Sequence, residues 1–338
     1  MTVSAFAIRI APEADAGARL QRMTDQGWQV SQPSPQFTAA LRGGGEIAAH
    51  GDLLIGGIAF LDNREHLEAR LEVASADLSD MALVAALRIK EGPGFVEALS
   101  GSFAIVVWNS ATGELEGYRV HLCVYPFIYT QQGAAITISS DPRAALHLSG
   151  LELTPEPYRI ADFISGQEVD PCLTVFAGLE RLPAAHRFLV SEGTLRTERY
   201  WQLLPSRTDP GGDVAQNLRA RFSRAVRVRM KGPGEAGTML SGGLDSSSVT
   251  CVAADHLAET GGSKLKTLSF IYPGKPYDET DYIETVTERD EVDPHFIPIT
   301  DPPDIDILGR LVEEQMDLFT APGLMKSRRI YDDAKNLG

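Results

Sequence analysis

What most constrains this chain is a change of pattern around residue 205. The stretch Pro205-Ser206-Arg207-Thr208-Asp209-Pro210-Gly211-Gly212 is polar and rich in turn formers, as linkers are. Before it, short β-rich runs are separated by turn residues, which fits a layered β structure. After it, strand-like runs alternate with helical ones, which argues for a parallel sheet with helices packed on it. Two domains are therefore expected, residues 1–204 and 213–338, joined by a linker at 205–212. The length of 338 residues agrees, being more than one ordinary domain needs.

In the first part, residues 53–60, 103–108, 125–130, 134–139 and 186–191 read as strands bounded by Gly, Ser and Pro. Two helices are expected among them. Ser79 or Asp80 caps one carrying Met81, Leu83, Val84 and Leu87, and it stops near Gly92-Pro93. Thr154-Pro155 supplies a cap and a first-turn proline for the other, over 158–164, with Gly166 at its C-terminal end. In the second part Asp213 caps a helix, with Gln216 in the capping-box position. Val214, Leu218, Phe222 and Val226 recur every four residues, which predicts one buried face. A strand at 237–240, a helix at 246–259, a strand at 265–272 and a helix from about 281 follow. Residues 325–337 read as a last helix, and 301–306 as a loop.

Composition narrows the function classes. With 46 acidic against 31 basic side chains the net charge is −15, which repels phosphate backbones, so no nucleic-acid partner is expected. Three cysteines, Cys123, Cys172 and Cys251, are too few and too widely spaced for a disulfide framework or a zinc site. The seven histidines show no H-x-x-x-H or H-E-x-x-H spacing. No apolar run reaches the roughly 18 residues of a membrane helix, and Arg9 and Glu13 interrupt any signal-peptide core. A cytoplasmic protein without a membrane partner is expected.

Chemistry is expected at Ser241, Gly242, Gly243, Leu244, Asp245, Ser246 and Ser247, between an apolar strand and a helix. Paired glycines let a phosphate approach the backbone, and the helix start adds free N–H groups and its dipole. Three serines add hydroxyls. Asp245 makes sense if a magnesium ion accompanies the phosphate, so it is the expected metal contact. The lysine of a Walker A loop is missing, so P-loop transfer of a γ-phosphate is not the natural reading. A plain glycine turn with a serine cap is the bland alternative, but seven residues of suitable type argue against it.

SGGLDSS resembles the pyrophosphate-binding loop of the asparagine synthetase group of ATP pyrophosphatases. Further segments fall in that family's order: Phe60-Leu61-Asp62-Asn63-Arg64-Glu65-His66-Leu67, Ser79-Asp80, Ser139-Ser140-Asp141-Pro142-Arg143, Arg199-Tyr200-Trp201 and Asp278-Glu279-Thr280-Asp281-Tyr282. The resemblance implies an α+β, glutaminase-like N-terminal domain of α-β-β-α layering. It implies next an incomplete α/β, parallel-sheet ATP pyrophosphatase domain. ATP and Mg2+ are the implied cofactors. In such synthetases a carboxylate attacks the α-phosphate of ATP, pyrophosphate leaves, and an amine then displaces AMP. Because parallel sheets bind ligands beyond the carboxyl ends of their strands, adenine is expected against the next strand, near Leu268 and Ser269. No catalytic residue is assigned.

The chain departs from the family in three places. Thr2 stands where an active glutaminase has its cysteine. Ile58-Ala59-Phe60 stands where the family has the glutamine-holding Asn-Gly-Glu, and apolar side chains leave an amide unsatisfied. Asp80 alone keeps its place, and Arg119 is followed by Val120 rather than aspartate, so the glutaminase is expected to be inactive. Finally, the family's later synthetase half, with its lysine, has no counterpart up to Gly338. A longer polypeptide or a partner chain is expected to complete the site.

Among branches without the cysteine, the resemblance is to lasso peptide cyclases, which join the N-terminal amine of a precursor peptide to its own Asp or Glu side chain. The implied partners are that small precursor peptide, a leader-binding protein and a protease. β-Lactam-forming relatives, an asparagine synthetase in the strict sense, and a truncated non-catalytic ATP-binding module are the alternatives.

Overall fold

The protein's structure, a computed structural model, describes residues 4–12, 17–73, 78–122, 124–205, 211–231, 236–299, 306–318 and 322–337. Thr2, Cys123, Gly338, most of the expected linker and residues 301–305 fall outside them. The chain divides into two compact units. One is Met1–Pro205 with Met316–Leu318; the other is Ser206–Gln315 with Phe319–Gly338.

The first unit runs β1 (Ala5–Ile10), α1 (Gly17–Asp25), β2 (Gln29–Ser34), β3 (Phe37–Arg42), β4 (Glu46–His50), β5 (Leu53–Leu61), α2 (Arg64–Leu71) and α3 (Asp80–Glu91). It continues with β6 (Gly101–Asn109), β7 (Leu115–Arg119), β8 (Ile128–Gln132), β9 (Ala135–Ser139), α4 (Pro142–Ser149), α5 (Pro157–Ser165), β10 (Glu180–Arg181), β11 (His186–Ser191) and β12 (Thr194–Arg199). Its strands form two six-stranded sheets, in the orders β10-β8-β9-β1-β3-β2 and β12-β11-β7-β6-β5-β4. Between the sheets, Phe6, Ile8 and Phe37 meet Ile58, Val106 and Trp108. Leu67, Leu83 and Leu87 cover the outer face of the second sheet at Ile55 and Phe103, and Met23 and Leu148 cover the first at Ala5 and Ala40. β5 and β6 are apolar on both faces because both faces are covered. This is the expected α-β-β-α layering.

Local expectations meet several corrections here. Five α-helices lie in the described part of this unit, not two. α1, α2 and α4 were missed because each is short; α2 buries only Leu67. The expected strand at 125–130 starts at Ile128, since Pro126 has no N–H for a ladder. The cap of α5 is Glu156, whose carboxylate accepts from Tyr158 N at 3.1 Å, with Pro157 in the first turn. Thr154 and Pro155 instead pair with the chain near Phe176. Ser79 caps α3 as expected, accepting from Ala82 N at 3.2 Å, and Gly166 ends α5 in a left-handed conformation.

The second unit contains α6 (Val214–Arg229), β13 (Gly237–Met239), α7 (Leu244–Glu259), β14 (Leu265–Ile271), α8 (Thr280–Thr287), β15 (Val292–Pro298), α9 (Asp306–Gln315) and α10 (Pro322–Asn336). Its strands are parallel, in the order β13-β14-β15. One face of the sheet packs Leu265 against Ala253 and Ala254 of α7 and Val226 of α6; the other packs Leu268 and Ile297 against Ile330 of α10. Asp213 caps α6, accepting from Ala215 N and Gln216 N. The buried face expected of α6 forms only in part: Val214 is 66% and Leu218 67% exposed, Phe222 and Val226 are half-buried, and no α6 residue is fully buried. Asp306, placed in a loop by its prolines, begins α9. No helix among the described residues is long and apolar enough to cross a membrane.

Candidate functional site

The loop from Ser241 to Ser247 links β13 to α7, which begins at Leu244, two residues earlier than expected. Its N-cap is Gly243, and no side chain caps the helix. Asp213 caps α6, whereas α7, like α8, has no side-chain cap, which leaves its first-turn N–H groups to solvent or a ligand. The dipole of a 16-residue helix adds partial positive charge at the same place.

The two glycines do different work. Gly242 has φ +77°, and a Cβ there would stand 2.8 Å from Tyr282 Cβ and 3.3 Å from Ile283 N, at the start of α8. Gly243 has an ordinary φ of −71°, and a Cβ would meet only Ser241 Oγ, at 3.6 Å. The first glycine lets the loop lie against α8; the second keeps open the space in front of the helix.

Ser246 is turned inward. Its hydroxyl accepts from Ser241 N at 3.2 Å, donates to Gly243 O at 3.2 Å, and lies 3.1 Å from Ser241 Oγ. It shapes the loop, while Ser241 and Asp245 are exposed and Ser247 is half-buried. Asp245 forms no hydrogen bond or ion pair with the described residues, and no group of three or more metal-ligating side chains exists among them. A lone exposed carboxylate suits Mg2+, which keeps several waters and binds through one or two carboxylates plus phosphate oxygens.

Leu268 and Ser269 lie on β14, the central strand. Leu268 pairs with Met239 on one side and His295 on the other, and its carbonyl accepts from Leu240 N at 3.0 Å. Ser269 pairs with Phe296. Both are buried, and the two side chains point to opposite faces of the sheet. Leu268 lines a cavity of about 340 Å3 on the α10 face, with His295, Arg329 and Asp333. The backbone groups expected to meet the base at these two residues are engaged in the sheet. Further along the strand Phe270 and Ile271 are half-buried, and Ile271 packs beside Leu240, which precedes the glycine loop, and Ile283 of α8.

Reading the sequence missed the floor beneath the loop. Asp278 accepts from Tyr272 N at 2.9 Å and from the Thr280 hydroxyl at 2.7 Å, and these bonds hold its carboxyl below the usual carboxylate range. It pins the β14–α8 connection that places Glu279 and Tyr282 against Gly242. The signal was available: an aspartate two residues before a threonine at a helix start is a turn-forming pattern.

In the first unit, Ile58 is 2% exposed within the inter-sheet core, so it offers nothing to a polar ligand. Asp80 accepts from Leu61 N at 2.8 Å and from Arg64 at 2.7 Å. Ser79 donates to Glu46. The surviving acidic position is thus tied to its own neighbours.

Residues 217–336 match the model of the asparagine synthase family, and residues 56–201 match that of a glutamine amidotransferase domain. The chain joins a glutamine amidotransferase-like domain to an asparagine synthase domain region. Among similar proteins, asparagine synthetase [glutamine-hydrolyzing] 3 of Bacillus subtilis is 30% identical over 205 residues, covering 57% of this chain and 33% of that one. Amidase chyE of Penicillium rubens is 28% identical over 201 residues, covering 55% and 28%. The chain thus spans about a third or less of the length of these two curated relatives. Glutamine phosphoribosylpyrophosphate amidotransferase of Bacillus subtilis, solved with ADP and GMP, shares 12% identity at a TM-score of 0.41. That match covers 89% of this chain and 82% of that one. Within the asparagine synthase region lies the whole glycine loop.

Proposed function

We propose that the protein serves as an ATP-dependent, AMP-forming amide ligase of the asparagine synthetase-like kind, with its own glutaminase silent. One observation carries the reading: an uncapped helix start behind Gly243, faced by the unpartnered Asp245 and held by Gly242 against α8. The N–H groups of that first turn and the Ser241 hydroxyl hold a pyrophosphate group, while Ser246 keeps the loop folded. Asp245 holds a magnesium ion. Magnesium-ATP bound there would supply the leaving pyrophosphate that activates a carboxylate. The adenine is assigned to the end of β14 beyond Leu268 and Ser269, where the pairing with β13 has ended while that with β15 continues.

The substrate reading follows from the first unit. With Ile58 in the core and Asp80 tied to Arg64, glutamine has no polar cradle, so the amine is not glutamine-derived ammonia made here. A peptide N-terminal amine closing on an Asp or Glu side chain, as in lasso peptide macrolactams, needs no such cradle. Cytoplasmic work on a small precursor peptide, with a leader-binding protein and a protease as partners, belongs to the same proposal.

The nucleotide reading is tested by titrating Mg2+-ATP calorimetrically into wild type, Asp245→Ala and Gly243→Val. Both variants should bind at least about tenfold more weakly while keeping their circular dichroism. Equal affinity in all three would place the nucleotide elsewhere. For the substrate reading, precursor-type peptides bearing an Asp or Glu should lose one water with AMP release. Glutamate release from glutamine would defeat the silent-glutaminase part.

A further inference from the structure

The connection from β14 to α8 is shaped by two prolines and a glycine. Pro273 and Gly274 form the centre of a turn in which Lys275 N donates to Tyr272 O at 3.0 Å, and Gly274 has the positive φ, +75°, that such a Pro-Gly turn requires. A second turn follows at once, with Pro276 as its second residue and Asp278 N donating to Lys275 O at 3.1 Å. The two turns fold the chain back on itself, and Asp278 closes the fold by accepting from Tyr272 N at 2.9 Å. Tyr272 and Tyr277 are thereby brought edge to face, with ring centroids 5.2 Å apart and an interplanar angle of 65°. The connection is tied to the glycine loop at both ends. Ile271, just before Tyr272, packs beside Leu240, and at the other end Glu279 and Tyr282 lie against Gly242.

We propose that the Tyr272–Tyr277 pair is a stacking surface for the adenine ring of ATP, so that this connection meets the base while the glycine loop holds the phosphates. The inference rests on the nucleotide reading of that loop. Position and chemistry together choose the occupant. The connection lies beyond the carboxyl end of the central strand, where parallel sheets bind ligands. β13, which feeds the glycine loop, pairs with that same strand, and paired strands are only about 5 Å apart. A nucleotide with its phosphates at Gly243 therefore has its base within reach of the two rings. Backbone groups at Leu268 and Ser269 are engaged in the sheet, so contact with the base has to come from elsewhere. A phenol ring supplies it, because a purine stacks on an aromatic face whatever hydrogen bonds its edge makes.

The test titrates the full chain calorimetrically with Mg2+-ATP and with Mg2+-tripolyphosphate, which carries the phosphates without the base. Tyr277→Ala should weaken ATP binding by at least about fivefold and leave tripolyphosphate affinity within about twofold of wild type. Tyr277→Phe keeps the ring and should bind both ligands as wild type does. Asp245→Ala, the control for the loop, should weaken both. Unchanged ATP affinity in Tyr277→Ala, with Asp245→Ala still weakened, would overturn the stacking surface and leave the phosphate loop standing. An equal loss of both ligands in Tyr277→Ala would also overturn it, since the ring would then brace the loop or seat a polypeptide segment rather than meet the base. No ATP binding, or ATP binding indifferent to both alanine substitutions, would overturn the loop reading and the stacking surface together.

Discussion

Substituting the two loop glycines one at a time should separate what builds the site from what it binds. At Gly242 an alanine must hold φ near +77°, which costs about 1–2 kcal/mol for a residue with a Cβ. It must also displace Tyr282, whose Cβ would lie 2.8 Å away, and overpacking of that kind costs about 1–3 kcal/mol. Gly242→Ala should therefore destabilise the loop and the start of α7 by roughly 2–5 kcal/mol. At Gly243 the backbone already lies in a region open to every residue, and the new methyl meets nothing closer than 3.6 Å. Only the poorer N-cap preference of alanine counts, about 0.5–1 kcal/mol. All three tryptophans, Trp28, Trp108 and Trp201, lie in the other unit, so their fluorescence does not report this one. Hydrogen exchange of peptides covering residues 237–259 reads it directly. Exchange there should quicken roughly thirtyfold or more in Gly242→Ala and only a few-fold in Gly243→Ala. Mg2+-ATP affinity should fall in Gly243→Ala despite its near-native exchange. Equal exchange in the two variants, or a Gly243→Ala protein that binds nucleotide normally, would refute the division of labour.

Three further outcomes follow from the same structure. Asp213→Ala removes the acceptor for Ala215 N and Gln216 N, and should cost about 1 kcal/mol, read as faster exchange over the first turn of α6. Ile58→Asn places an amide in the inter-sheet core and should cost roughly 3 kcal/mol or more, read by urea unfolding followed through the buried Trp108. His121 sits against Phe103, Tyr200 and Trp201, and burial holds its imidazole below the ordinary value of 6.5. The unfolded chain therefore binds a proton that the folded chain resists. Stability is complete above the unfolded pKa and is lost as pH falls below it toward the depressed folded value. Wild type should lose more stability than His121→Phe between about pH 7.5 and about pH 5.5; parallel losses would show that His121 stays accessible to protons.

What could be read from the chain, and what could not, follows from the range of the interactions. The caps at Ser79 and Asp213 and the left-handed stop at Gly166 were legible because each is decided within a few residues, by one side chain and the nearest N–H groups. The glycine loop was legible for the same reason. The end of α5 was found and its beginning misplaced: Thr154-Pro155 and Glu156-Pro157 are both acceptable starts locally, and the pairing of Thr154 near Phe176 selects the second. That the backbone at Leu268 and Ser269 is engaged in the sheet was not legible, for a more distant reason. A run such as 265–271 looks the same whether it is an edge or a centre, and only the order β13-β14-β15 shows that both its sides are used. α6 makes the same point about faces. Its four-residue spacing correctly sets Val214 and Leu218 on one side, but periodicity states only which residues share a face. Whether anything covers that face depends on the elements around it, and in this unit the described residues pack on it at Val226.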